Sequence, residues 1–370
     1  MREILAERLL AKVMEWSAED VAQERPKLQA MADFKYDEYQ QFSPGMRFVE
    51  SLARWLHQFK EKEQRRTAYD FVCKKLVFVS SAEMIHLVDI AFPDVIRPFL
   101  IQFAAQKAGI PEWAVKKIVD SQEYKVLLRR SLFLGLSDGA RTDVFRRSNP
   151  DLSHEQVWQT YDLSDRKAQD MRDKLTSSLK QDFGIVSEST QQKFQTVFLL
   201  DDFSGSGISY FRQEKDETYR GKVFKIFEGI NELNSPIHEL LSSEELHVCL
   251  VLYIATEQAC SQLHTVIDKW QTDSELNINY SILPVQKISK TVKLVAETDE
   301  DFLKLSQEYF DEGIINESYH KGKCQNPYLG FDECALPLVL THNSPNNSLP
   351  LLWFEENRKH RGLFPRVSRH

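Results

Sequence analysis

The 370-residue chain has no run that approaches eighteen uninterrupted apolar residues, so the sequence predicts no membrane-spanning helix. Its N-terminal stretch, MREILAERLLAKVMEW, places charges every three or four positions among apolar residues. That spacing is typical of an amphipathic helix and not of a secretory signal. We therefore expect a cytoplasmic protein with no membrane partner.

Cysteines are few, odd in number and scattered without a CxxC pair, which excludes a disulfide framework: Cys73, Cys249, Cys260, Cys324 and Cys334. We expect reduced thiols. His320, Cys324, Cys334 and His342 group metal-binding residue types, but their spacing matches no pattern of paired zinc ligands. No residue is therefore assigned directly to a protein-bound metal.

Glycine and proline are also scarce, at 13 each, and 42% of the residues are hydrophobic, which excludes a disordered or low-complexity chain. The formal net charge of -8 argues against a mainly nucleic-acid-binding protein. A local basic patch at RRSLFLGLSDGARTDVFRR leaves an indirect nucleic-acid contact open.

Residues 1–128 are predicted to form a helical accessory or docking region. MRFVESLARWLHQF and VIRPFLIQFAAQKAG both repeat apolar residues at three- and four-residue spacing. Gly109 should close the second of these helices, and Ser80 or Ser81 should cap a helix that follows a short apolar stretch. Such a region could dock a protein partner.

In residues 129–296 the sequence pattern differs from that of the N-terminal region. Short apolar runs at 131–136, 194–200, 246–255 and 277–283 alternate with helical patterns at 153–179, 221–234 and 256–270. This alternation indicates a parallel sheet covered by helices on both faces. The predicted fold class is α/β, with a parallel sheet flanked by helices and an N-terminal all-helical region.

Residues 297–370 are predicted to form a C-terminal extension. A helical pattern comes first, then an apolar run at 335–340, then an Asn/Pro/Ser-rich loop. We expect this tail to add edge strands or a flap to the sheet domain.

One segment, VFLLDDFSGSGISYF at 197–211, joins a buried strand to two carboxylates and a loop of small residues. Open α/β sheets bind ligands where their strands end. A helix beginning near Ser206 would direct free N–H groups toward a phosphate, and Asp201 and Asp202 could accept ribose hydroxyls or anchor magnesium through water. The alternative is a strand-to-helix turn with Asp202 or Ser204 as its N-cap.

This segment resembles the phosphoribosyl-pyrophosphate loop of the type I phosphoribosyltransferases, in which four apolar residues and two acidic ones precede a hydroxyl-rich turn. The resemblance implies that Asp201 and Asp202 bind the ribose 2- and 3-hydroxyls of phosphoribosyl pyrophosphate, which carries Mg²⁺. It also implies which residues surround the 5-phosphate: Ser204, Gly205, Ser206, Gly207, Ile208 and Ser209. Gly205 departs from the pattern, because some members carry an acidic residue there that handles the proton of the base.

The same resemblance calls for an earlier loop that binds the pyrophosphate. SLFLGLSDGARTDVFRR offers Ser137, Asp138, Gly139 and Arg141 directly after a short strand. The glycine would free backbone N–H groups, and the guanidinium could bind phosphate oxygens. An ordinary β-turn is the alternative.

The segments LGLSDGAR, DDFSGSG and HNSPNNSLPLLW make the whole chain similar to phosphoribosyltransferase-like effectors of bacterial conflict and anti-phage systems, some associated with retrons. In such folds the hood that reads the base lies outside the core sheet. Asn343, Asn346 and Asn347 would present amide groups to the base there, beside Trp353, or would form an ordinary surface loop.

Three functions follow as hypotheses. The first is a phosphoribosyltransferase-like enzyme acting at the ribose anomeric carbon. The second is a non-catalytic nucleotide-binding sensor or regulator that uses the same fold. The third is a toxic, nucleotide-depleting effector restrained by a partner on the helical region.

Overall fold

The computed structural model describes residues 3–185, 192–243, 245–315, 319, 324–356 and 358–367. The chain forms two compact units, one built from residues 1–84 and 289–370 and the other from residues 85–288. Among the described residues, no helix is both long enough and apolar enough to cross a membrane.

The helices, in chain order, are α1 (Glu3–Met14), α2 (Ala18–Phe34), α3 (Phe48–His57), α4 (Lys62–Lys74), α5 (Ser81–Ile90), α6 (Arg97–Ala108), α7 (Val115–Asp120), α8 (Gln122–Arg129), α9 (Thr142–Ser148), α10 (Asp165–Phe183), α11 (Lys222–Asn231), α12 (Pro236–Leu240), α13 (Glu257–Ser274), α14 (Ala296–Glu308) and α15 (Pro350–Trp353). The strands are β1 (Val77–Val79), β2 (Ser131–Gly135), β3 (Val157–Trp158), β4 (Thr196–Ser204), β5 (Arg212–Gln213), β6 (Tyr219–Arg220), β7 (His247–Thr256), β8 (Asn279–Ile288) and β9 (Leu338–Leu340).

Local sequence signals set several helix ends. Ser80 Oγ accepts from Glu83 N at 3.1 Å while Ser80 N donates to the Glu83 carboxylate at 2.8 Å, a reciprocal cap for α5. Gly109 ends α6 with a φ of 63°, a left-handed conformation that glycine adopts without steric cost. Both predicted helix ends are confirmed.

The first unit joins the two ends of the chain. β9 from the C-terminal segment pairs in parallel with β1, with Val77 opposite Leu338. Of the two expectations for the tail, edge strands or a flap, the edge strand is wrong for the sheet of the α/β region, because β9 pairs with β1 in a separate two-stranded sheet. The ring of Phe364 packs against Tyr36, Phe48 and Phe78, which anchors the tail in an aromatic core.

The second unit contains a five-stranded sheet in the order β3-β2-β4-β7-β8, with parallel pairing throughout. The predicted α/β class is confirmed. β4 lies at the centre, between β2 and β7, and continues through Ser204, four residues beyond its predicted end. Asp201 and Asp202 therefore lie in the last part of a central strand, with Asp201 opposite Leu252 of β7.

Both faces of this sheet are buried. Leucines such as Leu134 and Leu199 belong to one core cluster with Met171 of α10 and Leu263 of α13. Alternate residues face the other way, where rings pack against helices and turns of the segments 85–108 and 142–148: Phe99 on Phe198, and Phe92 and Phe145 on Phe133. Residues 85–128, grouped by sequence with the N-terminal helices, thus lie in the unit of the sheet because a parallel sheet needs cover on both faces.

The periodicity of the segment 153–179 predicts a continuous helix. The structure shows a helix in only part of this segment. Val157–Trp158 forms the edge strand β3 beside β2, and α10 begins at Asp165, after Ser164 accepts a hydrogen bond from Lys167 N at 3.3 Å. The N-cap at Ser164 marks where the helical pattern begins.

Replacing Leu199 by alanine should lower the free energy of unfolding by about 3 kcal/mol, because it opens a cavity in the central strand. Leu233 is 77% exposed in the same unit, so Leu233→Ala should change it by less than about 0.5 kcal/mol. Urea denaturation of both variants measures the difference, and equal losses would contradict the assigned core.

Candidate functional site

Two loops lie side by side at the carboxyl end of the central strands. The first loop, Ser137–Arg141, follows β2, and the aspartate loop, Asp201–Ser209, ends β4. The strands are neighbours, and Leu136 N donates to Leu200 O at 2.9 Å at the point where β2 gives way to the first loop. The sheet topology therefore brings the two predicted ligand loops together.

Asp201 links the two loops. Its side chain is 1% exposed, and Ser137 Oγ of the first loop donates to its Oδ1. Its Oδ2 accepts from Tyr210 OH and from Lys222 Nζ, each at 2.9 Å. Both carboxylate oxygens therefore bind donors supplied by three different parts of the unit.

The electrostatics of Asp201 are set by opposing effects. Burial, followed by the negative charge of Asp202, raises the pKa of the Asp201 carboxyl, whereas Lys222 and Ser137 lower it. Tyr210 is buried as well, and burial together with the Asp201 charge raises the pKa of its hydroxyl. Tyr210 is therefore a neutral donor to this carboxylate.

Asp202 is only partly buried, and its carboxylate lies against the backbone of the first loop. A Cβ added to Gly139 would lie 2.3 Å from Asp202 Oδ2, so only glycine permits this approach. Asp202 Oδ1 also accepts from Phe203 N at 2.8 Å, which orients the carboxylate. Of the two acids, Asp202 is the less buried.

Turns close the aspartate loop, and no helix begins at the described residues near Ser206, where the sequence analysis considers one. Tyr210 N and Phe211 N both donate to Gly207 O, and the helix that follows, α11, begins only at Lys222. Gly207 has a φ of 79°, and a Cβ there would meet Leu263 Cγ at 2.9 Å. The N–H groups near Ser206 are thus presented by a tight turn and not by a helix dipole.

Neighbouring residues fix the shape of the aspartate loop. Ser204 Oγ accepts from Gly207 N at 3.2 Å, and Thr256 Oγ1 donates to Gly205 O at 2.6 Å. Ser206 and Ile208 are buried, whereas Ser209 is exposed. Gly205 supplies backbone to this arrangement and no side chain to any ligand.

The first loop carries a partly buried cation. Arg141 has a φ of 45°, and its Nε is buried without a hydrogen-bond partner among the described residues. Tyr253 OH donates to Ala140 O at 2.6 Å, which supports the loop from β7. A buried guanidinium N–H without a partner fits a site that receives an anion. Asp138, next to Gly139, is exposed.

The amide residues of the tail belong to the other unit. Asn347 is buried and donates through Nδ2 to Phe331 O at 3.2 Å. Asn343 Nδ2 donates to Val367 O at 3.4 Å, and its Oδ1 is buried without a partner among the described residues. Asn346 O accepts from Phe331 N at 2.8 Å. Their reading of a base stays a prediction.

All five cysteines are free thiols. His320, one of the four residues weighed for zinc, lies outside the described residues. Over the described ranges, no group of three or more histidines, cysteines or acids could enclose a metal ion.

The comparison with family models connects this geometry to a known group of proteins. The PRTase-CE family model matches residues 52–366, most of the chain. The chain belongs to the PRTase-CE family. It is thus a phosphoribosyltransferase-like protein, as the aspartate loop indicated. No curated protein and no solved structure gives a significant match.

Sequence reasoning missed several residues that support the two loops. Tyr210 and Lys222 contact Asp201 from positions 9 and 21 residues away along the chain, without a local motif to reveal them. Thr256 accepts from Ala259 N at 2.9 Å as the N-cap of α13. The position of Thr256 directly before a helical pattern indicates an N-cap, but nothing in the sequence indicates the hydrogen bond from Thr256 to Gly205.

The donor set fits a magnesium ion that arrives with a phosphorylated ligand. Magnesium usually binds one or two protein carboxylates together with substrate phosphates and water. Asp202 offers such a carboxylate beside the Gly139 backbone, where a side chain would fill the space. Asp202 is thus the residue that would hold such a magnesium ion.

Lys222→Gln should lower the free energy of unfolding by about 2 kcal/mol near pH 7.5, because it leaves the buried Asp201 carboxylate without its countercharge. We expect a smaller loss of stability than for a fully buried ion pair, since the Lys222 side chain is 32% exposed. Loss of Lys222 should raise the pKa of Asp201 further. A raised folded-state pKa adds stability at low pH that is lost as pH rises through it, so the deficit should shrink as the pH is lowered from 7.5 through the raised pKa of Asp201.

Urea denaturation across this pH range measures the effect. The double variant Asp201→Asn/Lys222→Gln removes both charges and should recover most of the loss near pH 7.5. A deficit that stays constant with pH, or that the double variant does not recover, would argue against an ion pair at this position.

Proposed function

We propose that this protein binds 5-phosphoribosyl pyrophosphate with Mg²⁺ and acts at the anomeric carbon of the ribose. The observation that carries the proposal is the contact between the two loops, where the Asp202 carboxylate lies against the Gly139 backbone at the carboxyl end of β2 and β4. Membership of the PRTase-CE family supports a phosphoribosyltransferase-like activity at these loops.

The phosphate groups would bind on the two sides of this contact. Backbone N–H groups of the aspartate loop, with the Ser206 and Ser209 hydroxyls, would surround the 5-phosphate. The first loop would bind the pyrophosphate through Ser137, the Gly139 backbone and Arg141. The unpartnered Arg141 Nε supports this assignment, because an anion would satisfy it.

The two aspartates would divide their roles. Asp202 would accept the ribose hydroxyls and bind magnesium, since its carboxylate edge is the more accessible one. Asp201 would position both loops through its hydrogen bonds with Ser137 and Lys222. It would accept a hydrogen bond from a ribose hydroxyl when the hydrogen bond from one of these two donors breaks. The paired carboxylates thereby favour a diol next to a phosphate.

The chemistry would be mainly electrostatic. Bond cleavage at the anomeric carbon leaves positive charge on the ribose and negative charge on the pyrophosphate. The carboxylates would stabilise the positive charge on the ribose. Arg141 and the loop N–H groups would stabilise the negative charge on the pyrophosphate, and magnesium would neutralise it further. Gly205 offers no acid or base, so any proton transfer to the base would come from another residue.

Asp202→Asn should weaken binding of phosphoribosyl pyrophosphate with Mg²⁺ at least about tenfold, because an amide replaces the charge that binds hydroxyls and metal. Calorimetric titration measures it. Asp173→Asn removes an exposed acid of α10 in the same unit and should change the affinity by less than about twofold. Equal affinities for the two variants would overturn the proposal.

A second function, a non-catalytic sensor, is favoured by Gly205, which lacks a catalytic side chain. Labelled phosphoribosyl pyrophosphate incubated with a panel of bases separates the two. Release of pyrophosphate that Asp202→Asn abolishes supports the enzyme, whereas tight binding without any product supports the sensor.

We further propose that the protein acts in the cytoplasm as an effector of a bacterial defence system, with the N-terminal helices as a docking region for a protein partner. The similarity of LGLSDGAR, DDFSGSG and HNSPNNSLPLLW to such effectors supports this role. Expression in bacteria should arrest growth with the native chain and not with Asp202→Asn. Equal arrest with both chains would contradict an effector that works through this site.

A further inference from the structure

A cavity of about 550 Å³ lies beside the aspartate loop, and apart from Ser209 and Lys222 its lining residues take no part in the proposed function. The hairpin of β5 and β6 and the first turns of α11 form most of its wall, and Tyr161 and Ser209 complete it. Its volume lies within the range of about 300–1,000 Å³ typical of small-molecule sites. The exposed Ser209 belongs to both this wall and the aspartate loop.

The wall carries more cationic than acidic side chains. It contains four cationic side chains and one acidic side chain: Arg212, Arg220, Lys222 and Lys225, with Glu228. Glu214 pairs with Arg212 at 2.8 Å, and Asp201 pairs with Lys222 at 2.9 Å. Within the described residues, Arg220 and Lys225 have no carboxylate at salt-bridge distance, although Arg220 acts electrostatically on Asp216. These two exposed cations give the cavity its excess of positive charge.

Aromatic side chains also line the cavity. Tyr161, Tyr219 and Phe224 are partly buried and pack against the hydrophobic core of the unit, so their rings are fixed in place. Tyr219 is oriented further by its hydroxyl, which donates to Asp273 at 2.5 Å. Rigid rings beside cations match a ligand with a flat base and a phosphate, since bases stack on aromatic side chains.

We propose that this cavity is a second ligand site, which binds a nucleoside monophosphate through Arg220 and Lys225 at the phosphate and through the aromatic wall at the base. A free phosphate would leave most of the volume empty, and a nucleoside would leave the cations unpaired. The cavity shares Ser209 with the aspartate loop, but the two cations proposed to bind the phosphate lie outside both loops, on the hairpin and on α11.

Calorimetric titration with AMP, GMP, CMP and UMP tests the proposal, with the four nucleosides and inorganic phosphate as separate arms. Arg220→Gln/Lys225→Gln should weaken binding of the preferred monophosphate at least about tenfold, since it removes two charged contacts. Lys116→Gln/Lys117→Gln removes two exposed cations of α7 in the same unit and should change the affinity by less than about twofold.

Phosphoribosyl pyrophosphate with Mg²⁺, titrated into the same variants, separates this site from the proposed function. Its affinity should change by less than about threefold in Arg220→Gln/Lys225→Gln, because the two loops are intact. If the native chain does not bind phosphoribosyl pyrophosphate, the proposed function fails and the cavity is still tested by the monophosphates. Equal monophosphate affinities in the two double variants, or a nucleoside that binds as tightly as its monophosphate, would overturn the second site.

Discussion

The buried carboxylate of Asp201 is the interaction on which the site depends. A charge that is almost fully removed from water is tolerated only when donors replace its hydration, and Ser137, Tyr210 and Lys222 supply them. Each donor belongs to a different segment, so satisfying one carboxylate fixes the first loop, the turn of the aspartate loop and the start of α11 together. The partly buried Asp202 and Arg141 lie on the two loops that this carboxylate joins.

The parallel sheet supplies the frame for this interaction. Its central strands are buried on both faces, with leucines on one side and phenylalanines on the other, which makes the carboxyl ends of β2 and β4 a rigid edge. Ligand sites on rigid elements keep their geometry better than sites on unsupported loops. Gly139 then allows the carboxylate and backbone to approach at this edge, where any side chain would collide.

The insertion of a hairpin distinguishes this chain from a simple strand–loop–helix arrangement. Between the aspartate loop and α11 the chain forms β5 and β6, so the next helix begins only at Lys222 and not at the end of the aspartate loop. Because α11 begins only at Lys222, no helix dipole is directed at the aspartate loop from this segment. The same arrangement brings Lys222 to Asp201 and builds a basic cavity next to Ser209.

The sequence by itself determined the elements and the candidate loops. Alternating apolar runs and helical patterns predicted β2, β4, β7 and β8, and DDFSGSG pointed to a ligand loop, because such patterns are local consequences of burial and turn chemistry. The short strand β3 escaped prediction, since two residues carry no periodicity. The helix caps at Ser80 and Gly109 were predicted correctly, because capping also depends on local sequence.

Only the tertiary structure decided which residues meet. Ser137 and Asp201 are separated by 64 residues along the chain, and their contact follows from the pairing of β2 with β4. The pairing of β9 with β1 and the cover that residues 85–108 give to the sheet are likewise long-range. These contacts depend on how whole surfaces are buried against each other, and no local spacing in the sequence encodes that choice.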